Sequence, residues 1–209
     1  MSRCVILSAG PVSEPAALLP LLRFDDMFIA ADGGWQLAAR LGVTPEAVVA
    51  DFDSQSSATV PHSVASVRLP VRKDVTDTAA AVEYAWEKGY RDFLFLGCTG
   101  GRLDHQHAAL LTALSVCQRG GCCVIADARN RIEILTRSPY VVPPMLGWSL
   151  SLFALDGPVH GLTLRGTEYV VTEYDLYPAD SLCVSNACTE QEGEIAFRDG
   201  VLLLYRSKD

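Results

Sequence analysis

The chain has 209 residues, 49% of them hydrophobic and 20% charged, which is enough for one large or two small folded domains and too apolar for a disordered polypeptide. A formal net charge of −8 and a pI near 5.0 argue against nucleic acid as the main partner, because phosphate backbones are held by clustered Lys and Arg and no such cluster occurs. An acidic chain can still take a polyphosphate when metal ions neutralise ligand and carboxylates together.

The opening MSRCVILSAG carries one basic residue and an apolar run too short for a signal peptide. Nothing later approaches the roughly 18 apolar residues of a membrane span, so the expectation is a cytoplasmic protein with no membrane partner. Alternating apolar runs and helical periods follow, the signature of a mostly parallel sheet with helices on both faces. Strands are expected at 4–8, 27–31, 47–50, 66–69, 93–96 and 123–126. Between them fall a Pro-interrupted helix near 15–22 and helices at 34–41, 76–88 and 103–119. Thr76 is a candidate N-cap for the third of these, and Gly89 stops it. The seven Cys include no CxxC pair and fit reduced, packed thiols, with the adjacent Cys122 and Cys123 facing opposite sides of a strand.

After Leu135 the texture changes. SPYVVPP breaks the pattern with three prolines, and no helical period survives beyond it. Short β-rich runs follow at 148–154, 159–164, 168–172, 181–184, 194–197 and 201–205, divided by turn signals. The expected organisation is therefore an α/β domain over 1–137 and a small all-β, sandwich-like domain over 138–209.

Ligands of an open α/β sheet bind beyond the carboxyl ends of its strands. After the second strand, ADGGW sets Asp32 before Gly33, Gly34 and a helix start, which suits either an approaching phosphate or a tight strand-to-helix turn. After the third, ADFDS places Asp51 and Asp53 two apart, on one side of an extended segment, where they can grip a hard cation or form a solvated turn. RKDVTD puts Lys73, Asp74 and Asp77 at a helix entrance. The helix dipole accounts for the acids, and a phosphate would account for the lysine. After the fifth, GCTGGRLDH brings Gly100 and Gly101, a guanidinium fork at Arg102, and Asp104 to a helix start. His105 and His107, two apart on a helix, do not share a face and are not expected to ligate one ion. No GxxxxGK[ST] motif occurs, which excludes an ordinary P-loop kinase.

The ordered set ADGGW, PEAVVADFDS, KDVTD and GCTGGRLDH resembles the thiamin pyrophosphokinase family, whose bacterial members carry ADGG, GDFDS, KDxTD and GxxGGRxDH in this order. VSNA and GTEYVVTEYDL resemble segments of the family's thiamine-binding domain. The resemblance implies transfer of a pyrophosphoryl group from ATP to the hydroxyl of thiamine. It implies Asp51, Asp53, Asp77 and Asp104 as the Mg²⁺ and polyphosphate shell; one acid, Asp77 or Asp104 ahead of the others, is expected to orient or deprotonate the acceptor hydroxyl. It implies Lys73, Asp74, Gly101 and Arg102 as nucleotide contacts, beside the Asp32, Gly33 and Gly100 backbone, and Ser185 and Asn186 as thiamine contacts. Family members are homodimers with active sites at the subunit interface. Four positions depart from the pattern: Trp35 after ADGG, Ala50 before DFDS, Ala109 in the helix after DH, and Ala187 after SN. Trp148, Tyr169 and Tyr174 are available either for packing or as an aromatic wall against the cationic thiazolium. The competing readings are a pterin pyrophosphokinase, a non-catalytic nucleotide or thiamine sensor, and a phosphatase with Asp51 as nucleophile.

Overall fold

The computed structural model describes residues 2–50, 65–68, 75–187 and 189–209. They form two compact units that divide between Ala128 and Arg129. The boundary expected at 137/138 thus differs by one strand.

In the first unit, β1 (Cys4–Leu7), β2 (Met27–Ala31), β3 (Ala47–Ala50), β4 (Ala65–Arg68), β5 (Asp92–Leu96) and β6 (Cys122–Ala126) pair in parallel in the order β6-β5-β1-β2-β3-β4. Runs such as CVIL and AVVA are buried throughout because helices cover both faces of the sheet. Alternation divides the side chains. Val5, Leu7, Leu94 and Leu96 pack with Leu37 and Leu41 of α1 (Gly34–Leu41) and with Leu18 of a 3₁₀ helix (Pro15–Leu21). Phe93 and Phe95 face the other way, where Trp86 of α2 (Asp77–Glu87) stacks on Phe93 and α3 (Leu103–Gln118) packs beside α2. The Pro-interrupted helix is 3₁₀ rather than α: Pro20 lacks the N–H that an i→i−4 ladder requires there.

In the second unit every pairing is antiparallel. One sheet runs β12 (Asn186–Ala187), β9 (Ser149–Ala154), β14 (Leu202–Ser207) and β7 (Asn130–Leu135). The other runs β11 (Val171–Leu176), β10 (Val159–Arg165), β13 (Gly193–Ala196) and β8 (Tyr140–Val142). Leu150, Leu152, Leu202 and Leu204 of the first meet Leu162, Leu164, Leu176 and Ile195 of the second, which makes the unit a sandwich. Arg206 has the parity of Leu202 and Leu204 and so enters this interior, where it pairs with Glu133 across the β7–β14 ladder. Strand sense over the described chain is therefore mixed, and a mostly parallel sheet describes the first unit alone.

One strand of this unit is unexpected, and two expected ones differ. Tyr140–Val142 is a strand despite its flanking prolines, since it lies at the end of its sheet, where a missing N–H is tolerated. The strand expected at 168–172 begins only at Val171, because Gly166, at φ +69°, and the Thr167 Oγ1 bond to the Tyr169 carbonyl (2.9 Å) form a turn before it. The strand expected at 181–184 is also a turn: the Val184 N–H bonds to Ser181 O at 3.2 Å, and pairing starts at Asn186.

Candidate functional site

β1 is flanked by β5 and β2, so the chain leaves it toward one side of the sheet and later returns to the other. At such a switch point the loops after neighbouring strands diverge and leave a crevice. Here the crevice is a cavity of about 390 Å³, lined by Ser8 to Pro11 after β1, Ala31 and Asp32 at the end of β2, Val75 to Thr78 at the start of α2, and Gly97 to Thr99, Gly101 and Arg102 after β5, with His105 and Ala109 of α3.

Close backbone packing explains several glycines here. A Cβ on Gly34 would collide with the Leu7 carbonyl oxygen, so the second glycine of ADGG is required by the approach of α1 to β1. Asp32 itself has φ +49° and is tied to β3 by its N–H to Val49 O at 2.9 Å. The loops after β1 and β5 run backbone against backbone: Gly10 N–H donates to Gly97 O at 2.8 Å, and a Cβ on Gly97 would collide with Ser8 O. Thr99 Oγ1 donates to Asp127 Oδ2 at 2.6 Å, which anchors the GGR loop beside the end of β6.

Two helix starts, α1 and α3, have no side-chain cap, which leaves first-turn N–H groups for an anion. α2 is capped as expected, its Ala79 N–H donating to Thr76 Oγ1 at 3.2 Å. Asp32, Gly33, Asp77, Gly100, Gly101 and Arg102 are therefore gathered at one sheet edge, with Gly33 and Gly100 beside the cavity-lining residues. Asp104 stands at the start of α3 but is not among the lining residues. Its carboxylate accepts Arg102 Nη2 at 2.6 Å, Arg102 Nε at 3.1 Å and the His105 N–H at 3.0 Å, and the Arg102 guanidinium holds it down to about 2. Asp51, Asp53, Lys73 and Asp74 lie outside the described residues.

The donor set at the cavity is mostly oxygen, from the Asp32 and Asp77 carboxylates and the hydroxyls of Ser8, Thr78 and Thr99, beside the Cys98 thiol and the His105 ring. Such a set fits a hard divalent cation such as Mg²⁺ rather than a soft one. Among the described residues no three His, Cys, Asp or Glu side chains are grouped to hold a metal ion.

In the second unit Ser185 is exposed, at φ +58°, with its N–H on Ser151 Oγ at 3.0 Å. Asn186 is 4% exposed, and its amide is fully engaged. Oδ1 accepts the Tyr169 and Ala187 N–H groups at 3.0 and 2.8 Å, while Nδ2 donates to Tyr169 O at 2.7 Å and Thr167 Oγ1 at 3.3 Å. It holds the turn that presents Tyr169, which is 64% exposed. Sequence reasoning passed over Ser8, Thr78, Cys98 and Asp127. Two signals pointed to them: SAGP follows β1 at the same sheet edge as the other loops, and Asp127 ends β6 there.

Residues 19–125 match the thiamin pyrophosphokinase catalytic domain, and residues 132–202 match the thiamin pyrophosphokinase vitamin B1 binding domain. The thiamine pyrophosphokinase of Bacillus subtilis strain 168 is 24% identical over 209 residues, 98% of each chain. The crystal structure of thiamine pyrophosphokinase from Bacillus subtilis superposes over the whole of both chains, with a TM-score of 0.89 at 23% identity, a likeness of fold. That of a thiamin pyrophosphokinase family protein from Enterococcus faecalis also covers both chains in full, with a TM-score of 0.80 at 28% identity. The present chain belongs to the thiamin pyrophosphokinase family of diphosphotransferases.

Proposed function

We propose that this protein transfers the pyrophosphoryl group of ATP to the hydroxyl of thiamine, giving thiamine diphosphate and AMP. The observation that carries the reading is the cavity at the β1 switch point, within the unit that matches a thiamin pyrophosphokinase catalytic domain. It has carboxylates, uncapped helix starts and a guanidinium at one edge. The second unit, with its match to a vitamin B1 binding domain, supports thiamine as the acceptor.

The acceptor oxygen forms a bond to the β-phosphorus, the bond from that phosphorus to the α,β-bridging oxygen breaks, and AMP leaves. The acceptor's proton passes to a base. Magnesium, when bound, neutralises phosphate charge and orients the phosphate oxygens for in-line attack. Asp51, Asp53, Asp77 and Asp104 are the residues proposed to hold it. Arg102, Lys73 and the N–H groups around Gly33, Gly100 and Gly101 orient the polyphosphate, with Asp32 and Asp74 beside the nucleotide. Asp104 joins this shell only after Arg102 exchanges it for a phosphate, and Asp77 or Asp104 acts on the acceptor proton. Ser185 contributes directly to the thiamine pocket, whereas Asn186 does so by holding the Tyr169 turn. A homodimer with shared active sites belongs to the same proposal, and exposed Tyr169, Val170, Leu182 and Val184 supply apolar surface for it. No described helix is long and apolar enough to cross a membrane. The six described cysteines are free thiols, in keeping with work in the cytoplasm.

The test is product analysis with ATP, Mg²⁺ and a panel of acceptors. AMP and thiamine diphosphate in equal amounts, abolished by a chelator, are expected. AMP release with a pterin alone would move the acceptor, and ATP binding without turnover would make the chain a sensor.

A further inference from the structure

The hydroxyl and thiol groups of the cavity carry an inference that rests on the pyrophosphokinase reading of that site. Ser8 follows the central strand β1, is 8% exposed, and donates its N–H to Leu96 O at 2.9 Å. Its carbonyl lies against Gly97, so the residue is held by strands and loops on both sides. Its side-chain oxygen stands 2.9 Å from Thr78 Oγ1 and receives the Cys98 thiol at 3.3 Å. Three elements, the end of β1, the first turn of α2 and the loop after β5, thus meet at one oxygen.

Burial pushes the Cys98 thiol up to about 11, so it stays protonated at neutral pH, and S–H is the donor because sulfur is a weak acceptor. With Cys98 donating to Ser8, the Ser8 and Thr78 hydroxyls share a further hydrogen bond in which either oxygen can donate. Thr78 directly follows Asp77, the residue that opens α2 and lines the cavity. The Thr76 cap fixes the shape of that turn but bonds only within the helix, whereas the Ser8–Thr78 bond fastens the turn to the sheet, 70 residues away in sequence.

We infer that Ser8 is a positioning residue: through Thr78 it sets where the first turn of α2 stands at the cavity, and with it the Asp77 carboxylate that faces the metal-bound polyphosphate. Ser8 touches no reacting atom. Its removal displaces Asp77 and the neighbouring N–H groups together, so nucleotide affinity and turnover fall while the thiamine-binding residues of the second unit are untouched.

The experiment compares wild type, Ser8→Ala, Thr78→Val, Thr78→Ser and the Ser8→Ala/Thr78→Val double variant. The readouts are kcat, KM for ATP and for thiamine, the Mg²⁺ concentration for half-maximal rate, and Mg²⁺–ATP affinity by titration calorimetry, which needs no turnover. Ser8→Ala and Thr78→Val are each expected to weaken Mg²⁺–ATP binding about tenfold, the scale of one partly buried hydrogen bond. The double variant is expected to be no worse than either single one, since both break the same link. KM for thiamine stays at its wild-type value, and Thr78→Ser restores binding. Thr78 is half-exposed, so Thr78→Val decides the matter if Ser8→Ala does not fold. Wild-type Mg²⁺–ATP affinity in Thr78→Val, or additive losses in the double variant, overturns the inference. A wild-type chain that binds Mg²⁺–ATP but makes no AMP from thiamine would instead sink the function reading and leave the calorimetric comparison to judge Ser8. A wild-type chain that does not bind Mg²⁺–ATP overturns both.

Discussion

Gly97→Ala isolates the contact on which the crevice is built. Gly97 has φ +72°, a conformation that costs an L-residue about 1 kcal/mol. A Cβ there would also collide with the Ser8 carbonyl and come within 3.1 Å of Leu37 Cδ2. Relieving that overlap requires backbone movement in two central loops, at a typical overpacking cost of about 1–3 kcal/mol. The total is therefore about 2–4 kcal/mol. Gly120→Ala is the control, since Gly120 has φ +87° with nothing within 4 Å of a built Cβ. It should lose about 1 kcal/mol and no activity. For a chain of this length each kcal/mol is worth about 2–4 °C in Tm. The assay is thermal unfolding beside steady-state turnover, with Gly97→Ala expected to fall well below Gly120→Ala in Tm and to lose about a hundredfold in kcat, the scale of a misplacement near 1 Å. Equal Tm and normal turnover for the two variants would refute the backbone-on-backbone account of the site.

Asn186→Ala removes an amide that makes four hydrogen bonds and should cost about 1–3 kcal/mol in urea unfolding, raising KM for thiamine and leaving KM for ATP unchanged. A normal thiamine KM would detach the Tyr169 turn from the acceptor. Iodoacetamide at pH 8, followed by mass spectrometry, should modify exposed Cys122 well before Cys98, whose rate should climb with pH toward its value of about 11. Comparable labelling at pH 8 would contradict the raised Cys98 thiol. Arg206→Met removes one of the two arginines paired with buried Glu133, which keeps Arg131 and the Tyr140 O–H, and should cost about 1–3 kcal/mol, part of it recovered in Arg206→Met/Glu133→Leu. Burial pushes the Glu133 carboxyl up, but Arg131 and Arg206 together draw it below its ordinary 4.5. A lowered folded-state value means stability that is complete above 4.5 and lost as pH falls through that lowered value. Wild type should therefore lose stability on acidification, and the double variant should lose less; equal acid sensitivity would contradict the pairing.

Much of the first unit was legible because strands buried on both faces read as short continuous apolar runs. The strands Met27–Ala31 and Ala47–Ala50 and the helix Gly34–Leu41 have the expected bounds. The second unit was harder. Tyr140–Val142 is hidden between prolines that only an edge position tolerates, and the apolar run 181–184 carries strand-forming residues that a turn overrides. The gathering of Asp32, Asp77 and Arg102 followed from counting which loops leave the carboxyl edge. The hub of Ser8, Thr78 and Cys98 did not, because hydroxyls and thiols 70 and 90 residues apart have no periodicity to betray their contact. Asn186 was legible as a position but not as a role: its four partners are turn atoms that only the folded chain brings to it.

In the proposed reaction an intact pyrophosphoryl group moves in one step to thiamine. ATP carrying a radioactive β-phosphorus, incubated with the protein, Mg²⁺ and thiamine, tests it most directly. All transferred label is expected in thiamine diphosphate and none in ADP. Label recovered in ADP with thiamine monophosphate as the product, or in free pyrophosphate without any thiamine ester, would contradict it.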